Sequence, residues 1–530
     1  MRRFHSYGPV DARAHYCVPR VELVENCVRQ LVGSEAEEGG QYFTIWAPRQ
    51  AGKTWLMRQA IEAIRGRRGD DFLVGKMSMQ GVFMEDDDPV DAFLQRGPML
   101  MERAFGISGL DSPGTWETFQ RLFHRSRGLF DRPVILLIDE FDNLPQGVID
   151  RLAMLFRDIY LHRDEYVLHA LALIGVRAVL GVESSRGSPF NVQRSIHVPN
   201  LTRAEVTEMF DQYRAESGQT VADQVVDELI RVTAGQPGLV GWFGELLTEK
   251  NNPGRDKPLD WGVWQWVYED ALHVEPNNTV MNLLAKARGE YRDWVLSLFA
   301  NPNIPFEFRS EWCNYLYMNG IIVPDRVVHD GRPQTVCRFS TPFVQECIYG
   351  ALISDLVGDR TPILALEPLD DLADVFTERG LDVPKLLDRY QAYLVRLEAA
   401  GIDPWQDQPR RKTDFQLQES VGHFHLYAWL RQVIGWRCAI SPEFPTGNGK
   451  VDLHLRCRDH RGLIEVKSFV DQARLDRGLR QAAEYARQAG LDAVTVAVFM
   501  PVKDHAVLAA ASRETTLDGV TVTVVAIGWM

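Results

Sequence analysis

Basic charge is scarce in this chain: 58 lysines and arginines stand against 72 aspartates and glutamates, a formal net charge of −14. A surface that acidic argues against a constitutive, non-specific nucleic-acid binder, whose affinity rests on neutralising phosphates, although a local basic patch stays open. Cysteine is sparse as well. Cys17, Cys27, Cys313, Cys337, Cys347, Cys438 and Cys457 are scattered, with no C-x-x-C pair. This argues against a zinc ribbon or a disulfide framework and favours a reducing compartment. Long apolar runs are missing too, none approaching the roughly 18 residues that suggest a membrane span. The opening MRRFHSYGPVD has no apolar segment after its arginines, unlike a secretory leader. The expectation is a soluble, cytoplasmic protein with no membrane partner. At 530 residues it holds roughly three to four domains.

What is present centres on 43-FTIWAPRQAGKTWLMRQAI-61. A short apolar strand, a tight loop and a helix follow one another. The loop, Pro48, Arg49, Gln50, Ala51, Gly52, Lys53 and Thr54, has the phosphate-cradle pattern. Backbone N–H groups face the phosphates, Lys53 reaches the terminal ones, and the Thr54 hydroxyl binds Mg²⁺. Ala47 stands where the first glycine of the pattern is usual, so the turn there must be one that alanine adopts.

Downstream, 133-PVILLIDEFDNLP-145 reads as a strand buried on both faces that delivers Asp139 and Glu140 at its carboxyl end. Asp139 would hold Mg²⁺ through water and Glu140 would polarise an attacking water. A strand over 168–176 ends beside Arg177, a candidate γ-phosphate sensor. Arg157 is a candidate finger across subunits. The plainer reading of either arginine is a solvated side chain. The helix over 18–32 reads as an adenine-side wall or as plain packing. Thr202 and Glu205 form a capping box, and Pro237 opens a later helix.

On the motifs SYGPVD, PRQAGKT, LLIDEFD, IGVR, SPFNV and TAGQPGLV, residues 1–250 resemble an AAA-like, signal-transduction (STAND-type) P-loop ATPase. The resemblance implies that ATP binding and hydrolysis gate a conformational change. The fold class expected is α/β: residues 1–200 a P-loop NTPase core with a parallel sheet, and 201–255 a helical lid. Residues 256–358 read as helices and short strands of a winged-helix-like module, with few lysines, which favours relaying motion over binding DNA. Residues 359–412 read as a helical linker ending in 409-PRRK-412, a linker face or a nucleic-acid contact.

The last stretch, 413–530, reads as a separate α/β domain in the order helix, three strands, helix, strand. Asp452 lies on one strand, and Glu465 and Lys467 share a face of the next. As a hairpin, these strands would bring Asp452 and Glu465 to one divalent cation with Lys467 beside it. That is the equipment of phosphodiester hydrolysis: a metal-activated nucleophile and stabilised charge on phosphate. The set resembles the PD-(D/E)xK, restriction-endonuclease-like superfamily. In that resemblance Glu419 on the preceding helix adds a metal contact, and Gln481 with Tyr485 matches a Gln-x-x-x-Tyr pair on one helix face. Asn448 and Lys450 are candidates for a phosphate contact. The alternatives are a charged edge strand with no site, or a nuclease fold that only binds.

The combined expectation is an ATP-dependent or ATP-regulated nuclease requiring Mg²⁺, or Mn²⁺ at the second site. DNA is the expected substrate and RNA the alternative, in a prokaryotic defence or genome-maintenance role inferred by analogy. The rival is an ATPase switch whose last domain binds nucleic acid or a partner without cutting. A homo-oligomer and an unidentified activator stay open as partners.

Overall fold

The computed structural model describes residues 1–33, 39–85, 87–175, 195–300, 303–329, 332–357, 364–367, 369–377, 380–406, 408–411, 414–435, 437–446, 449–457 and 460–529. The chain divides into two compact units. One comprises Met1–Leu283, Cys313–Ile322 and Ser340–Phe343; the other comprises Leu284–Trp312, Val323–Phe339 and Val344–Met530.

The first unit begins with α1 (Val21–Val32), β1 (Tyr42–Trp46), α2 (Lys53–Arg68) and β2 (Leu73–Ser78). Next come α3 (Gly97–Phe105), α4 (Trp116–Arg121), β3 (Val134–Asp139), α5 (Gln146–Leu161), β4 (Leu168–Gly175) and β5 (Ser195–His197). The strands form one sheet in the order β2-β3-β4-β1-β5, and their pairings are parallel. Every residue of β3 is buried, as a strand covered on both faces must be. Alternation sorts its side chains between two cores. Ile135 and Leu137 pack with Ile45 of β1 and with Cys27 and Met57 from α1 and α2. Leu136 and Ile138 pack on the other face with Met101, Leu152 and Phe156 from α3 and α5. This parallel sheet, wrapped by helices on both faces with the phosphate-cradle loop after β1, is the architecture of a P-loop NTPase.

The helices α6 (Arg203–Ser217), α7 (Asp223–Thr233), α8 (Pro237–Glu245) and α9 (Trp261–His273) follow. The capping box expected at α6 is present: Glu205 N donates to Thr202 Oγ1 at 3.2 Å and Thr202 N donates to Glu205 Oε2 at 2.7 Å. Pro237 opens α8 at its first position. Beyond α10 (Asn278–Ala287), α11 (Arg292–Ala300) and α12 (Glu311–Met318), strands β6 (Ile322–His329) and β7 (Arg332–Phe339) form a two-stranded sheet, followed by α13 (Pro342–Val357). The residues of this middle region are shared between the two units.

In the second unit a short pair, β8 (Phe376–Thr377) and β9 (Gly380–Leu381), precedes α14 (Val383–Ala399) and α15 (Glu419–Ile434). Then come β10 (Ala439–Thr446), β11 (Gly449–Cys457), β12 (His460–Ser468), α16 (Gln472–Gln488), β13 (Ala493–Met500), α17 (His505–Ala511), β14 (Arg513–Leu517) and β15 (Val520–Gly528). The six-stranded sheet runs β10-β11-β12-β13-β15-β14. The first three strands are antiparallel, β12 to β13 to β15 is parallel, and β14 closes the edge antiparallel. The edge strand β14 has no counterpart in the sequence reading, because RETTL carries little apolar signal.

One expectation is corrected here. Cys438 and Cys457, read as unpaired, form a disulfide. The physical reason is the β10–β11 pairing. Ala439 lies opposite Arg456, which brings two cysteines 19 residues apart in sequence to a Cα–Cα distance of 4.2 Å. Spacing along the chain does not carry that register.

Candidate functional sites

The first site lies at the carboxyl ends of β1 and β3. Gly52, at φ 87°, and Gln50, at φ 57°, make the left-handed turns of the loop; Ala47 does not. The departure from the usual pattern therefore costs nothing, and the glycine the turn needs is Gly52. Lys53 begins α2 and folds back, its Nζ donating to Ala47 O at 2.7 Å and Pro48 O at 2.8 Å. Burial lowers the Lys53 pKa to about 8, with the Asp142 and Asp139 carboxylates pulling the other way. Arg49 is exposed on the loop.

Thr54 Oγ1 donates to Asp139 Oδ2 at 3.2 Å, joining the helix start to the end of β3. Asp139 is 6% exposed, and its Oδ1 accepts from Glu140 N at 3.1 Å. Glu140 sits in the left-handed region, at φ 57°. Its Oε2 is buried with no hydrogen-bond partner among the described residues. Burial, then the neighbouring Asp139 and Asp142, raise its pKa. A left-handed backbone and a partly buried carboxylate of raised proton affinity mark Glu140 as a candidate for orienting a water. A half-buried hydroxyl paired with a buried carboxylate, beside the Lys53 ammonium, fits Mg²⁺ with a nucleotide, since Mg²⁺ takes one or two protein oxygens plus phosphates and water.

Helix α8 closes on this loop. Gln236 Nε2 donates to Arg49 O at 3.3 Å and Gln50 O at 3.4 Å, and Gly238 N donates to Gln50 O at 3.1 Å. A Cβ at Gly238 would stand 2.3 Å from Gln50 Oε1, so this close approach requires glycine. The segment before α1 lies along α2: Val18 O accepts from Trp55 Nε1 at 3.2 Å, and Val10 O accepts from Arg58 at 2.6 Å. At the end of β1, Trp46 meets His197 at 4.4 Å and Tyr317 at 5.5 Å between ring centroids. Burial, and then Lys53, lower the His197 pKa. His197 and Tyr317 were not legible in the sequence, where no motif links them to the loop. Arg157 is exposed on α5, while Arg177 and the SPFNV segment lie outside the described residues.

The second site lies where α15 meets the β11–β12 hairpin. Leu453 pairs with Ile464, which sets Asp452 and Glu465 side by side. Asp452 Oδ2 accepts from Val466 N at 2.6 Å, and Asp452 N donates to Glu465 Oε2 at 3.4 Å. The Lys467 ammonium lies 2.9 Å from Glu465 Oε1, 3.5 Å from Glu419 Oε1 and 3.8 Å from Asp452 Oδ2. Glu419, at the first turn of α15, also accepts from Ser468 N at 3.2 Å. His423, one helical turn on, meets Asp452 O through Nε2 at 3.1 Å. Burial raises the Glu465 pKa, and the Asp452 charge adds to it. Burial raises Glu419 as well. Burial works against the Lys467 charge, but the carboxylates of Glu419, Glu465 and Asp452 outweigh it and hold the ammonium protonated. Gln481 hydrogen-bonds to Tyr485 on α16, and the Lys467 stem passes 3.5 Å from where a Gly478 Cβ would stand. Asn448 and the Lys450 side chain lie outside the described residues.

Among the described residues, no three histidine, cysteine, aspartate or glutamate side chains are grouped as a metal-binding cluster. The all-oxygen donors Asp452 and Glu465 suit a hard cation of the Mg²⁺ kind, which needs only one or two carboxylates when phosphates and water complete its shell. A cavity of about 720 Å³ opens onto Glu419 and Lys467. No described helix is long and apolar enough to cross a membrane.

No family model matches the chain, and no curated protein matches it. Solved structures do resemble it. The Walker-type ATPase PABY2304 of Pyrococcus abyssi is 16% identical over 65% of this chain and 99% of its own, with a TM-score of 0.40. Orc1 of Aeropyrum pernix, solved in complex with DNA, is 14% identical over 63% of this chain and 92% of its own, with a TM-score of 0.31. The RuvB Holliday junction branch migration motor of Thermotoga maritima is 14% identical over 59% of this chain and 91% of its own, with a TM-score of 0.31. At these values they stand as distant likenesses, and the functional reading below rests on this chain's own residues.

Proposed function

We propose that the chain is an ATPase whose second unit is a metal-dependent nuclease acting on DNA under the control of the nucleotide. The observation that carries the nuclease half is the convergence of Glu419, Asp452, Glu465 and Lys467 from one helix and two strands. A charged edge strand without a site would leave its carboxylates in water. Here Glu465 is 2% exposed, and burying it is costly unless the group has a task.

In this reading Lys53 leaves the loop carbonyls and donates to the terminal phosphates. Thr54 and Asp139 would hold the Mg²⁺ of the nucleotide, and Glu140 would take a proton from, or orient, the attacking water. Gln236 and Gly238, on the loop carbonyls, couple phosphate occupancy to the lid helices. At the second site Asp452 and Glu465 would hold the divalent cation, with Glu419 as outer support. When bound, the cation would supply an activated water and neutralise phosphate charge. Lys467 stabilises charge that develops on the phosphate. Gly478 of α16 lies against the lysine stem, and Gln481 and Tyr485, hydrogen-bonded to one another, stand further along the same helix.

A second reading is favoured by one feature. The Lys467 ammonium already lies within 3.8 Å of all three carboxylates, where a cation would compete with it. In that reading the second unit binds nucleic acid without cutting. The deciding experiment is cleavage of linear and circular DNA with Mg²⁺ or Mn²⁺, with and without ATP, for wild type beside Asp452→Ala. Cleavage by wild type alone supports the nuclease reading; no cleavage under any condition supports the second.

A further inference from the structure

The cavity beside Lys467 has a character that a phosphate backbone does not require. Trp294, Ile304 and Pro305, from α11 and the segment after it, line it together with Phe469 and Leu475. Arg411 and Arg474 also line it, as do Glu419 and Lys467 of the second site. Arg411 is held in place by Asp414, at 2.8 Å, and by Phe469 O, at 3.3 Å. Trp294 is 44% exposed and stacks on Trp312, with ring centroids 4.3 Å apart and planes 4° from parallel. The stacked indoles put a flat aromatic surface on the cavity lining.

A strand backbone is held by charge, and the bases of an uninterrupted duplex stay inside its stack. A mostly apolar-walled chamber within the size range of small-ligand pockets, opening onto the phosphodiester site, would be left unfilled by such a duplex. An unstacked base has room to enter it, resting on an aromatic face while the arginines meet adjacent phosphates.

We infer that this cavity receives one unstacked base of a DNA strand whose phosphodiester lies at Lys467, so that the substrate is DNA with unpaired nucleotides rather than continuous duplex. The inference rests on the nuclease reading for the position of the phosphate, and on the cavity alone for the base.

The test uses the full chain as wild type, Trp294→Ala, Trp294→Phe and Arg474→Ala. Binding of a labelled single strand, a bulged duplex and a fully paired duplex of the same sequence is measured by fluorescence anisotropy in Ca²⁺. Cleavage of each is then measured in Mg²⁺ and in Mn²⁺. A 5-iododeoxyuridine at the unpaired position is photo-crosslinked and mapped by mass spectrometry.

The expected result is a crosslink to Trp294 and preferred binding of the unpaired forms. Trp294→Ala should weaken that binding on the order of ten-fold, as loss of a stacking platform does, and Trp294→Phe should retain most of it. If Trp294→Ala misfolds, shown by its melting curve, the Phe variant, Arg474→Ala and the crosslink still decide. Equal binding of all three DNA forms with the crosslink elsewhere overturns the inference, even if wild type cuts DNA. Tighter binding of the matching RNA strand overturns the assignment to DNA. Preference and crosslink retained with no cleavage would overturn the nuclease reading and leave the base pocket supported.

Discussion

Lys467→Met removes one charge and keeps the aliphatic stem that passes Gly478. It leaves Glu419, Asp452 and Glu465 facing one another without their shared cation. Breaking a buried ion pair costs about 3–5 kcal/mol. The side chains of Lys467 and Glu419 are 21% and 26% exposed, which places the loss at the lower end, about 3 kcal/mol. The loss depends on pH, and its sign follows from the raised carboxylates. An acid whose folded pKa lies above its unfolded value binds more protons when folded, so stability falls as pH rises from the unfolded pKa through the folded one. Without the lysine the folded pKa values rise further, and the deficit of the variant should grow from about pH 5 to pH 8. Thermal melts of wild type and variant at both pH values read this directly. A deficit near 3 kcal/mol corresponds to roughly 6–12 °C for a domain of this size. The variant should recover most of it at the acidic pH, and millimolar Mg²⁺ should stabilise it at pH 8. A deficit of the same size at both pH values would refute the role of Lys467 as the counter-charge of this cluster.

Lys53→Ala should abolish nucleotide binding and leave the melting curve nearly unchanged; ATP turnover surviving in that variant would remove the P-loop assignment. Because the Lys53 ammonium has a pKa of about 8 on the loop carbonyls and a bound phosphate would hold it charged, ATP affinity should fall above pH 8 by up to about ten-fold per unit, a slope that titration calorimetry resolves and that Lys53→Arg should flatten. Gly238→Ala drives a methyl group into Gln50 and should cost about 1–3 kcal/mol by overpacking; Gln50→Gly in the same chain should restore most of it, and no recovery would place the strain elsewhere. Asp452→Ala should abolish DNA cleavage and spare ATP hydrolysis, whereas parallel loss of both would point to a structural role.

The local code was written in the chain. The five apolar residues leading into Asp139 read as a strand covered on both faces, and the strand is buried throughout. The spacing of Thr202 to Glu205 could only cap a helix at that point, and period-two spacing put Glu465 and Lys467 on one face. What the chain does not carry is partnership between distant segments. The order β2-β3-β4-β1-β5, which sets Thr54 beside Asp139, is decided by how the helices cover both faces. The hairpin of β11 and β12 is an expectation of the sequence, but its register, with Leu453 opposite Ile464, and the pairing that joins Cys438 to Cys457 leave no periodic trace. Trp294 reaches the second site, and Gln236 the P-loop, only because separate helices fold back over these sites. Periodicity reports which face of an element is buried. Which element buries it is settled by close packing among all of them at once.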